Sequence, residues 1–513
     1  MLTSSEPDPH AVAPPGSAVI RTYRGEERAL RADRIGTPGL LLSVLAASAP
    51  MMVVAGVMPT TYAVMGIVGQ PLLFVILGVV LALLSVGYAE MSRHVHNAGA
   101  FYAYIARGLG STAGSAAACV ALVAYSALQV GIYGIFGFQV SSLLLTFFGV
   151  TVSWWIPALA GVAVVAALGA LKIDLNARVL GALLLLEVLF VVTFDISFVA
   201  DPGPEGLTLH AFDPATLSGA GLGTALCFTI AAFTGFEQAP VYAEETSRAQ
   251  VVVSRVMFWA VGFTAVFFAF SSWAMGVATG PSKVVGAAQE ASAGLVFGLS
   301  ADRLGGTFAD VLGIFFATGI FASMLSFHNV VARYAFAMGR EGLLPAPVGR
   351  ASRTSGAPAL GSLLQTVIAL AVVVAFAATG KDPVAHLFTW MGNVGALGVL
   401  LLMASSSLAV VVFFVRRGAA AAQAWRLVAA TVSGAALTVI MVYAVANFDV
   451  LLGSEPDSAL RWVLPGVVAV AAVGGALFGL LLRLRRPAVH ARIGMGHEAF
   501  QLEIAAQRQN AAS

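Results

Sequence analysis

The chain has 513 residues, of which 59% are apolar and only 10% charged, and its net charge is +2. A soluble domain usually carries about 25% charged residues. In water this chain would keep a greasy surface, so the composition excludes an ordinary soluble protein and points to a bilayer, which accepts apolar side chains on the outside. Cys119 and Cys227 both lie in apolar stretches and suggest neither a disulfide framework nor a metal cluster.

Residues 1–37 hold no apolar run long enough for a signal-peptide core. They are rich in Pro and then in Arg (Arg21, Arg24, Arg28, Arg31, Arg34). The expectation is a disordered cytoplasmic tail ending in a basic segment beside the membrane, with an uncleaved first span after it. A helix needs roughly 20 apolar residues to cross the hydrocarbon. Runs of that kind predict twelve spans, numbered 1 to 12 in chain order, at 38–66, 71–92, 112–147, 152–171, 178–200, 219–243, 251–279, 305–338, 359–379, 384–415, 425–447 and 462–483. With the N-terminus inside, all but four of the 27 Lys and Arg residues fall on the inner side, the exceptions being Lys283, Arg303, Lys381 and Arg461. That asymmetry predicts both termini in the cytoplasm. The segment 281–303 is expected to hold short helices across the outer mouth, and the amphipathic segment 94–110 to lie at the inner surface.

Two spans contain local conflicts. Span 1 reads Ser48-Ala49-Pro50-Met51-Met52, and Pro50 removes a backbone donor and clashes with the preceding turn. Span 6 places Thr234, Gly235, Glu237, Gln238 and Pro240 in mid-membrane. Non-helical backbone at that depth survives only where it faces protein or a watery cavity. The two breaks lie five spans apart, and interrupted segments at matching places in two halves point to a transporter site.

Three stretches carry a resemblance. GQPLLFVILGVVLALLSVGYAEMSRHVHNAGAFYAYIARGLG from Gly69, AAFTGFEQAPVYAEET from Ala231 and ARYAFAMGREGLLPAPVGRASRTSGAP from Ala332 resemble the second span, sixth span and eighth span of the amino acid–polyamine–organocation (APC) permeases. The resemblance implies an all-α integral membrane protein with a LeuT-like fold: two inverted five-helix repeats, with helices 1 and 6 discontinuous, and two further helices. It divides the chain into a tail at 1–37, repeats at 38–200 and 201–416, additional helices at 417–486 and a cytoplasmic tail at 487–513. This chain departs from the family where Ser48-Ala49-Pro50 replaces a Gly-rich break, and at His96, Ala100 and Arg248-Ala249.

At a broken helix, free amides attract anions and free carbonyls attract cations. Amides near Ser48, Ala49, Met51 and Met52 are therefore expected to face a substrate carboxylate, and carbonyls near Ala232 and Phe233 its ammonium, with Gly235 at the break and Phe233 as an aromatic lid. Glu237 beside the break would carry a proton or pair with a cationic substrate group, because an ionised carboxylate at mid-membrane costs about 2.5–3.5 kcal/mol even on the lenient insertion scale. In some proton-coupled relatives a Lys stands at the place of Glu187, nine residues after Arg178. The resemblance therefore implies that Glu187 takes up a proton or binds sodium. Tyr125, Gln129 and Tyr133 recur at i, i+4 and i+8 on one face of span 3 and would line the pocket or form a polar seam. Ser323, Ser326, His328 and Asn329 form a polar patch on span 8. Glu90 is expected to pair with Arg93, and Asp195, near the outer end of span 5, to reach water. The expected function is proton-coupled import of an amino acid across the plasma membrane by alternating access. Import or exchange of a polyamine or other organic amine is the alternative, and a non-transporting nutrient sensor is the alternative of another class. No enzyme activity, cofactor, metal or nucleic-acid partner is expected.

Overall fold

The computed structural model describes residues 35–95, 97–170, 173–218, 221–291, 294–352, 355–417, 424–455 and 457–496, apart from the side chains of 173–180. The expected disordered tail, Arg21 to Arg34, His96, Lys172, Arg353 and Arg508 lie outside the described residues, as does the side chain of Arg178. Among the described residues there are helices and no strands, with one isolated bridge between Ile35 and Thr246.

Among the described residues ten helices are long and apolar enough to cross a membrane: Thr37–Met65, Gln70–Ser92, Ser111–Phe148, Gly181–Ala200, Ala249–Thr279, Gly306–Glu341, Ala359–Thr379, Pro383–Arg416, Ala424–Ala446 and Leu460–Arg485. These coincide with ten of the expected spans. Span 4 appears as the shorter apolar helix Trp155–Gly169, and span 6 as Leu222–Ala232 followed by a 3-10 turn at Phe236–Tyr242. The segment expected across the outer mouth forms the short helices Val284–Ala291 and Gly294–Leu304.

Burial sorts the helices. Spans 1 and 3 are 72% buried over their most apolar window and span 12 only 22%, so the first two make the interior and the last offers most of its surface to lipid. Small residues set the close approaches. A Cβ on Gly475 of span 12 would lie 2.8 Å from the Cα of Ala116 on span 3, a separation that only glycine permits.

One face of the bundle is rich in arginine. There Arg93 and Arg426 reach Glu90 at 3.3 and 2.8 Å, which includes the expected Arg93 pair. The helix Ala100–Leu109 forms as the amphipathic pattern of 94–110 predicts, but it does not lie bare on the surface, since Ala100 to Ala106 are all buried. The cover comes from the C-terminal segment. Ile493 is buried, the amides of Gly494 and Gly496 donate to Glu341 at 2.8 and 2.9 Å, and a Cβ on Gly494 would collide with Ala106.

Candidate site at the broken helices

Both breaks form where Pro and Gly placed them. The first half of span 1, Thr37–Ala47, stops at Ser48. Ala49 then takes left-handed dihedrals (φ 42, ψ 70), and Pro50 restarts the helix. The second half opens as Pro50–Met52, widens into a π turn at Val53–Val57 and ends as Met58–Met65. A left-handed alanine is strained, and this one is held in place by complete burial. Ser48 turns its hydroxyl back to the Leu45 carbonyl at 2.7 Å. Span 8 binds the end of the first half: Ser323 Oγ donates to Ala47 O, left over at the helix end, at 2.9 Å, and Ser326 Oγ to Ser43 O, one turn earlier, at 3.0 Å.

In span 6 the helix ends at Ala232, and Gly235 (φ 134, ψ −40) adopts a conformation open only to glycine. It also leaves no room for a side chain, since a Cβ there would lie 3.1 Å from Ala47 Cβ and Ser48 N. The two breaks are therefore in direct contact.

Each break is tied to a neighbouring helix by a buried carboxylate. Glu237 accepts from the Gly235 amide at 2.7 Å on Oε2 and from the Tyr125 hydroxyl of span 3 at 2.9 Å on Oε1. Glu187 of span 5 accepts from the Met51 amide on Oε1, and its Oε2 has no partner among the described residues. Gly319 of span 8 makes space for this carboxyl, because a Cβ there would stand 2.6 Å from Glu187 Cδ. Neither carboxylate forms an ion pair among the described residues, and both are at most 1% exposed.

The expected site residues do not all stay together. Ser48, Ala49, Met51, Met52, Ala232, Phe233, Gly235, Glu237 and Glu187 gather at the breaks. The Met51 amide, expected to face a substrate carboxylate, is taken by the chain's own Glu187. The Phe233 ring lies 6.0 Å from that of Phe74, which lies 5.4 Å from Phe268, so it sits in an aromatic cluster of spans 2, 6 and 7. Gln129 is committed elsewhere. Its Oε1 accepts from Gln365 at 2.5 Å, and its Nε2 lies 3.1 Å from Tyr133 Oη and 3.2 Å from His328 Nδ1. His328 in turn meets Ser362 at 2.7 Å, so this network binds spans 3, 8 and 9 together. Tyr125 parts from Tyr133 because the two i to i+4 steps between them advance about 80° around a helix with 3.6 residues per turn, and its hydroxyl goes to Glu237 instead.

Two residues were missed as site candidates. Gln238 is fully buried within the break of span 6, with its oxygen 3.4 Å from Ser326 Oγ and its Nε2 unpartnered. Its only sequence signal was an amide inside an apolar span. Asp195 does not reach water: it is fully buried, with Oδ2 accepting from Ser271 Oγ of span 7 at 2.5 Å.

Beyond the break of span 6, two ion pairs join its end to span 8 on the arginine-rich face. Arg333 grips Glu245 with bonds of 2.5 and 3.1 Å and lies 4.6 Å over the Tyr242 ring. Arg340 grips Glu244 with bonds of 2.7 and 2.5 Å. A family model described as Amino acid permease matches residues 41–471, which include both breaks, both tethering carboxylates and both ion pairs. No curated protein matches the chain.

Proposed function

The chain belongs to the amino acid permease family, within the APC superfamily, and from that premise we propose that it imports an amino acid by proton-coupled alternating access. Family and fold support a multi-span membrane transporter, and the family points to transport rather than enzyme chemistry. The proposal adds a plasma-membrane location with both termini cytoplasmic, the inverted five-helix repeats, and a substrate site between the two breaks.

The observation that carries this reading is the contact between the breaks, with Glu237 bridging one of them to span 3. A substrate ammonium entering there meets carbonyls left over near Ala232 and Phe233. Glu237 supplies the coupling. As a carboxylate it accepts from Gly235 and Tyr125 at once; once protonated it becomes a donor and cannot keep both bonds unchanged. A proton therefore alters how span 6 is held against span 3, and substrate and proton act on the same joint. The Arg333–Glu245 and Arg340–Glu244 pairs close the route on the arginine-rich side and have to part for release.

Uptake into proteoliposomes, with both amino acids and their decarboxylated amines as labelled substrates, tests the reading. An amino acid should accumulate under an inward proton gradient without sodium. Strict sodium dependence would contradict proton coupling and recast Glu187 as a cation ligand. One observation favours the organic-amine reading: Glu187 already fills the Met51 amide that a substrate carboxylate would need. Accumulation of an amine in preference to its parent amino acid would establish that reading.

A further inference from the structure

The mechanism above couples through Glu237 and leaves Glu187 on the Met51 amide, yet span 5 carries a second buried carboxylate. Asp195 lies eight residues beyond Glu187, two turns nearer the outer end in the proposed topology, and it is fully buried. Its Oδ2 is bonded to Ser271 of span 7, while Oδ1 accepts no hydrogen bond among the described residues. Glu187 Oε2 is equally unpartnered. Span 5 thus presents two carboxyl groups with one vacant oxygen each. Ionisable side chains inside a membrane bundle cost free energy to keep there and mark pathways for ions and protons.

We propose that Asp195 is a proton-carrying residue that loads from the outer side and passes its proton to Glu187. The inference rests on the proton-coupled reading and extends it outward along span 5. Ser271 belongs to span 7, so a shift of that helix against span 5 breaks the bond to Oδ2 and admits water. Hydronium then gives its proton to Oδ1, forming an O–H bond and leaving water. Eight helical residues rise about 12 Å, too far for direct transfer, so the proton moves through intervening water. Asp195 returns to a carboxylate as an O–H bond forms at Glu187 Oε2. One proton changes place and nothing is oxidised or reduced.

The surroundings leave Asp195 without a charged partner. Arg303, on the neighbouring helix Gly294–Leu304, lies 5.5 Å over the Phe198 ring. Its guanidinium is committed to the Asp201 and Ala278 carbonyls and, at 3.7 Å, to the Asp201 carboxylate. Asp302 shares that helix, and Asp310 of span 8 is exposed. The one charged residue of span 7 is Arg255, near its opposite end, and span 1 from Thr37 to Met65 has no charged residue. Tyr62, on the outer half of span 1, donates to the Ser272 carbonyl at 3.0 Å, beside the Ser271 contact.

The test uses the full chain in proteoliposomes, with the amino acid or amine that it accumulates best as the probe. Asp195→Asn should keep counterflow exchange, which needs no net proton movement, while accumulation under an inward proton gradient falls to equal concentrations on the two sides. Asp195→Glu should restore accumulation with a displaced pH profile. In infrared spectra taken across a pH titration without substrate, one carboxyl C=O band should disappear in Asp195→Asn. Accumulation by Asp195→Asn at the parent level, with the parent pH profile, would overturn the inference while leaving proton coupling intact. Equal loss of counterflow and accumulation, not rescued by Asp195→Glu, would also overturn it and mark Asp195 as structural. A parent protein indifferent to the proton gradient would overturn both readings.

Discussion

Among the described residues, two groups of largely enclosed carboxylates contrast. On the arginine-rich face, Glu244 and Glu245 each receive two bonds from an arginine, and Glu341 accepts from Asn97 and two backbone amides. Inside the bundle, Glu187, Glu237 and, nearer the end of span 5, Asp195 have only neutral donors among the described residues, and two of the three keep an unpartnered oxygen. A carboxylate gripped by the two bonds of a guanidinium joins two segments of the chain and serves as a latch. One held by amides and hydroxyls is free to trade a proton for a change of partner. Glu244 and Glu245 are therefore placed for closure and Glu187, Asp195 and Glu237 for coupling, while Glu341, held by amides, ties down the C-terminal segment.

The largest effect expected from breaking this contrast is at the latch. Arg333→Ala leaves Glu245 charged and unpaired in a buried place, and removing one partner of such a pair costs about 3–5 kcal/mol. Thermal unfolding in detergent should show a clear loss, and exchanging the two residues (Arg333→Glu with Glu245→Arg) should recover part of it. An unfolding temperature unchanged in Arg333→Ala would mean that this pair is not a latch.

A smaller effect is expected at mid-bundle. Gly319→Ala pushes a methyl group against the Glu187 carboxyl, and overpacking of this kind costs about 1–3 kcal/mol. Folding should survive, while accumulation falls more than counterflow because the carboxyl is displaced from the Met51 amide. Parent-like accumulation would show that Glu187 has no coupling role. Smaller still is Gly494→Ala. It strains a positive φ of 82 and crowds Ala106, and should loosen the C-terminal segment. Protease sensitivity near residue 494 should rise while counterflow stays at the parent level. An unchanged cleavage pattern would mean that the segment is held by other contacts.

Much of the architecture was legible because its causes are local. Long apolar runs marked the spans, and Pro50 and Gly235 marked the breaks, since a missing donor and a conformation open only to glycine act within one turn of helix. The partners at the breaks were not legible. Met51 and Glu187 are 136 residues apart, and nothing in either segment says that a side chain will take the amide first. The pattern Tyr125, Gln129, Tyr133 suggested one face, but rotation along the helix sends Tyr125 to Glu237 and Gln129 to Gln365. The pattern at 94–110 gave the helix and missed its cover, because residues 493–496 come from the other end of the chain.

The central claim is that a buried carboxylate with neutral partners couples the proton to the substrate, and Glu237 tests it most directly. Glu237→Gln keeps the shape of the side chain and removes its titration. Substrate affinity by calorimetry and the pH profile of uptake in proteoliposomes, measured together on this variant and its parent, separate the outcomes. Parent-like affinity is expected, with uptake that no longer responds to pH. A fall in affinity instead, of the size expected when a buried charged partner is lost (about 2–5 kcal/mol, or roughly 30- to 5,000-fold), would make Glu237 a partner for a cationic substrate. Parent-like affinity together with the parent's pH profile would contradict the claim.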